Sequence, residues 1–64
     1  MPNKAEILKL IADLESSDRH VRLQAQYALI EAGAEATPYL INALKNDRPH
    51  CRWEAAHILR ELRD

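Results

Sequence analysis

Laid on itself with a shift of 30 residues, the chain keeps the phase of its apolar positions. Leu10, Ile11 and Leu14 fall on Leu40, Ile41 and Leu44. His20 and Arg22 fall on His50 and Arg52, and Ala25, Leu29 and Glu31 on Ala55, Leu59 and Glu61. Val21 meets Cys51 and Ala28 meets Ile58, both exchanges that a core tolerates. A period of roughly 20–50 residues means that one supersecondary unit has been copied, and each unit needs a neighbour to bury its apolar face. The shift predicts a single domain over 1–64, with repeat one at 1–33 and repeat two at 34–64.

Each unit reads as two helices. Asn3 followed by Glu6 makes a capping box, and Ile7, Leu10, Ile11 and Leu14 then recur at helical spacing. Ser16, Ser17 and Asp18 break that pattern, and Asp18 can cap a second helix through its side-chain oxygen. Val21, Ala25, Ala28, Leu29 and Ala32 share a face of it, and Gly33 supplies the left-handed residue that ends many helices. Pro38 fits the first turn of a third helix, with Leu40, Ile41 and Leu44 as its stripe, and Tyr39 half-exposed near its start. Asn46 and Asp47 punctuate again before Pro49 opens a fourth, whose buried face is expected to be Cys51, Ala55, Ile58, Leu59 and Leu62. The predicted helices cover about 3–15, 19–32, 35–45 and 49–63, with Ala25, Leu29, Leu44, Ala55 and Leu59 buried. Loops this short make successive helices antiparallel neighbours. The expected fold is all-α: four helices in two antiparallel hairpins, stacked as an α-α superhelix.

A chain of 64 residues buries a modest core and sits near the stability limit. Its one cysteine, Cys51, excludes an internal disulfide and fits a reducing compartment. It holds no apolar run long enough to cross a membrane, and no apolar segment of a secretory signal near its start. The expected location is therefore the cytoplasm, with no membrane partner. Formal net charge is −1 with both signs interleaved, which argues against nucleic-acid binding, since that favours a basic stripe.

The candidate chemistry is sparse. His50, Glu54 and His57 lie at i, i+4 and i+7, a spacing that could present two imidazoles and a carboxylate to a divalent ion. The same places in repeat one hold His20, Gln24 and Tyr27, a poor ligand set, so the reading is a solvated polar stripe with no metal and no cofactor. Cys51 takes the place of Val21 and is expected to be a buried structural thiol. Lys45, Arg48, Arg52, Arg60 and Arg63, interleaved with Glu54, Glu61 and Asp64, read as a solvated face. No phosphate loop, nucleophile elbow or acid/base pair is present, so catalysis is not expected. What remains is surface. His20, Gln24, Tyr27, Glu31, His50, Glu54, His57 and Glu61 form an outward stripe on the second helix of each unit, with Trp53 beside it. Aromatic residues near arginine are enriched at interface hot spots. Apolar residues also exceed what one stripe needs in the first helix, at Ile7, Leu8, Leu10, Ile11 and Leu14, and persist in the fourth at Trp53, Ile58, Leu59 and Leu62. Hairpin flanks left uncovered in this way predict association with another protein or with itself, as a homo-oligomer.

The stretch from Ala43 through Asp47, Pro49 and Arg52 to Ala55-Ala56 resembles the inter-hairpin signature of HEAT-like repeats, in the short version found in phycobilin lyase subunits. Leu14 through Arg22, Ala25 and Leu29 repeat it. The resemblance implies a scaffold for protein–protein interaction or self-assembly. It implies as alternatives a small subunit or relative of a bilin lyase-type enzyme, or, less in keeping with the charge, a nucleic-acid clasp. Two departures stand out. Ser16 and Asn46 replace the Asp that commonly opens the family's turn and pairs with an Arg, so Arg22 and Arg52 are left to neutral hydrogen bonds or to Asp18 and Asp47. Two repeats are present where such arrays usually have three or more.

Overall fold

The computed structural model describes residues 3–63. Four α-helices follow one another: α1 (Lys4–Asp13), α2 (Arg19–Ala32), α3 (Thr37–Ala43) and α4 (Pro49–Arg63). A 3-10 turn, Gly33–Glu35, separates the two hairpins, and no strand occurs among the described residues.

The boundaries follow from local chemistry. The Asn3 side chain accepts from the Glu6 amide at 2.9 Å while Glu6 accepts from the Asn3 amide at 3.2 Å, which completes the capping box. The Asp18 carboxylate accepts from the His20 amide at 2.8 Å and starts α2. Gly33 ends α2 at φ 62° and ψ −128°, a conformation that a side chain disfavours. The chain then tightens into the 3-10 turn, so α3 begins at Thr37 rather than at 35, and Pro38 lies in its first turn. The expected ends at 15 and 45 fall in the turns after α1 and α3.

The two interhelical turns share a set of bonds at the 30-residue shift. The Leu14 amide donates to Leu10 and Ile11, and the Leu44 amide to Leu40 and Ile41, all at 3.2 Å. The Ser16 hydroxyl accepts from the Asp18 amide at 3.1 Å, and the Asn46 side-chain oxygen from the Arg48 amide at 2.8 Å. The Arg22 guanidinium donates to the Ser16 carbonyl at 2.6 Å, and Arg52 to the Asn46 carbonyl at 2.8 Å. The arginines thus use neutral acceptors within their own turns, and Asp18 is left free to cap.

Within each hairpin α1 packs on α2 and α3 on α4; between hairpins α2 packs on α4 and α1 on α3. Each helix therefore meets its own equivalent in the other hairpin. The core draws on both, with Ile7, Leu14, Ala25, Leu29, Leu40, Cys51, Ala55 and Ile58 buried. Full burial of one such leucine or isoleucine contributes about 1.5–3 kcal/mol. Three expectations need correction. Leu44 is 38% exposed, not buried, and Leu59 and Leu62 are only partly buried. Leu44 and Leu59 lie on the side of the second hairpin away from the first, where no third layer of helices covers them among the described residues.

Candidate interaction surface

Pairing each residue with its equivalent shows which sides are uncovered. Leu14 is fully buried and Leu44 is not. Leu29 is buried and Leu59 half-buried; Ile11 is half-buried and Ile41 exposed; Gln26 is half-buried and Ala56 exposed. All of these first-hairpin positions lie toward the second hairpin. On the opposite side the order reverses: Leu10, Val21 and Ala28 are half-buried, whereas Leu40, Cys51 and Ile58 are buried. The molecule therefore has two free flanks, one on each hairpin. That of the second hairpin contains an open groove lined by Leu44, Ala56, Leu59, Arg60, Glu61 and Arg63.

The flanks differ in character. The second hairpin presents Ile41, Leu44, Ala56 and Leu59 beside Arg60 and Arg63, and Lys45 takes the place that Glu15 has in the first. The first presents the Lys9–Asp13 ion pair at 3.2 Å, together with Asp18 and Gln24. Between the hairpins, the Arg48 guanidinium meets the Glu15 carboxylate at 2.8 Å, and the Gln26 amide donates to both Glu54 oxygens at 2.9 and 3.1 Å. The charge in this junction is thus paired or hydrogen-bonded, and no buried side-chain oxygen or nitrogen lacks a partner among the described residues.

The outward stripe is placed in part as the spacing implies. His20, Gln24, Tyr27, Glu31, His50, His57 and Glu61 are all exposed, as is Trp53 at 70%. Glu54 is the exception, half-buried and held by Gln26. It also lies 3.5 Å from His50. Among the described residues no three His, Cys, Asp or Glu side chains are grouped to hold a metal ion. Cys51 is buried, and burial pushes its thiol pKa up, with the adjacent Glu15 carboxylate adding to the effect. Such a thiol is a poor nucleophile.

The excess apolar residues sort unevenly. Ile7, Leu14 and Ile58 enter the core, Leu10, Ile11, Leu59 and Leu62 pack partly against it, and Leu8 and Trp53 remain exposed. Ile41 and Leu44 were missed as surface residues. The signal that locates them is the repeat itself: Ile11 and Leu14 face the next hairpin, so their equivalents face whatever would follow. No helix among the described residues is long and apolar enough to cross a membrane. Comparison with protein-family models, curated proteins and solved structures gives no match.

Proposed function

We propose that this protein is a non-catalytic protein–protein interaction or self-assembly module built from two HEAT-like repeats, whose hairpins stack as the start of an α-α superhelix. The observation that carries the reading is the second hairpin's free flank. Leu44 and Ile41 are exposed and Leu59 is half-buried, whereas their equivalents Leu14 and Leu29 are buried and Ile11 is half-buried. Apolar side chains clustered and rimmed by charge mark interaction surfaces, whereas singly scattered ones do not. The superhelical reading is supported by the matching turns and by the packing of α1 on α3 and α2 on α4.

A photo-cross-linking amino acid at position 44, with the exposed position 4 at the start of α1 as control, tests the module inside cells. Protein adducts at 44 and none at 4 are expected. No adduct at 44, 41 or 27 would overturn the reading.

A further inference from the structure

We propose that the free flank of the second hairpin takes a second copy of this chain, stacked head to tail, so that the first hairpin of one copy continues the stack of the other. This rests on the module reading above and names the occupant of the flank. The support comes from carrying the junction between the hairpins forward by one repeat. Its ion pair joins Glu15 to Arg48 at 2.8 Å. Thirty residues on from Glu15 is Lys45, and thirty residues before Arg48 is Asp18. A second copy placed as the second hairpin sits on the first would set its Asp18 against Lys45. The pair recurs with its signs exchanged and remains attractive.

Two further contacts transfer without stranding a charge. The Gln26–Glu54 hydrogen bonds become Ala56 against an uncharged Gln24. Cys51 beside Glu15 becomes Val21 beside the Lys45 stem, which can lie along an apolar side chain. The flanks also complement each other in sign. Arg60 and Arg63 outweigh Glu61 on one, while Asp13 and Asp18 outweigh Lys9 on the other. A two-fold pairing of second-hairpin flanks would bring like charges together and leave Asp18 outside the interface. The Lys9–Asp13 pair occupies the places of Tyr39 and Ala43, so the new junction is more polar than the internal one and the association is reversible. Head-to-tail contact of this kind is heterologous and extends unless it closes into a ring.

Sedimentation equilibrium of the purified full chain, from low micromolar to near-millimolar concentration, is the test, with helicity and melting recorded for every variant. Asp18→Asn keeps a side-chain oxygen for the α2 cap while removing the charge. It is expected to weaken association roughly two- to threefold, and Lys45→Glu about fivefold or more. In the Lys45→Glu background, Asp18→Asn is expected to strengthen association instead, because it removes a repulsion. This change of sign in a double-mutant cycle is something that loss of folding cannot mimic. Leu44→Glu is expected to abolish association. If Asp18→Asn is silent in both backgrounds while Leu44→Glu still abolishes association, the flanks pair two-fold: the head-to-tail inference falls and the module reading stands. A monomer throughout overturns the inference as well. Adducts at 44 to a different protein would then keep the module reading, and their absence would remove both.

Discussion

Cys51 is the residue at which burial has the clearest chemical consequence. Its folded-state thiol pKa is raised by desolvation and by Glu15, while in the unfolded chain a thiol ionises at about 8.5. Above that pH the unfolded state has released a proton that the folded state still holds. Stability therefore falls as pH rises past the unfolded value. Cys51→Val, which installs the residue found at position 21, is expected to remove this component. Melting temperatures of both proteins across mildly alkaline pH should diverge, with the wild type falling faster; parallel curves would contradict it. Exposure separates a second pair. Leu29→Ala is expected to cost about 2–5 kcal/mol, enough to unfold much of a domain this small. Tyr27, 69% exposed, and His57 are expected to change stability by no more than about 0.5 kcal/mol on replacement by alanine. If the outward stripe contacts the partner, the same two substitutions weaken binding, and chemical denaturation beside a binding assay separates the effects. The sequence shows which residues lie on this stripe but not that Glu54 is withdrawn from it. That depends on Gln26, 28 residues away and in the other hairpin.

Among the elements, the helices were the most legible part of the chain, because their ends are encoded within a few residues. The capping box at Asn3 and the cap at Asp18 are local hydrogen bonds that spacing alone announces. The ends of α1 and α3 were less so, since turn and helix there compete for the same backbone carbonyls. Gly33 is the position where one atom decides the geometry. No atom lies within 4 Å of where a Cβ would sit, so crowding is not the obstacle. The obstacle is φ 62° with ψ −128°, which side chains rarely adopt. Gly33→Ala is expected to cost about 1–3 kcal/mol, read by urea denaturation. A neutral result would mean that the link between hairpins relaxes into another conformation.

For the whole molecule, the flanks decide the behaviour, and they were only half legible. Apolar excess in α1 and α4 was visible, but α3 also leaves Ile41 and Leu44 exposed. A stripe at helical spacing looks the same whether or not a neighbour covers it. Coverage depends on what stacks against the hairpin, a property of the assembly rather than of local sequence. Stacking stabilises whichever state it binds, so the melting temperature is expected to rise with protein concentration. Calorimetry over a hundredfold range checks this, and a constant value would indicate a self-sufficient monomer.

The matching turns bear on how this fold is reached in time. Each is closed by its own residues, through Ser16 and Arg22 in one and Asn46 and Arg52 in the other. Closing so short a loop costs little entropy, and contacts local in sequence form early. The chain thus has two equivalent places to begin. They are not equally prepared: α1 and α2 carry side-chain caps, whereas Ala36 precedes α3 with none. The first hairpin is expected to form ahead of the second and to serve as its template. Stopped-flow chevrons should show Asp18→Ala slowing folding, while Leu40→Ala mainly speeds unfolding. The reverse pattern would place the nucleus in the second hairpin. A polypeptide made of two copies of one unit would then have acquired an order of assembly from a difference of a few capping atoms.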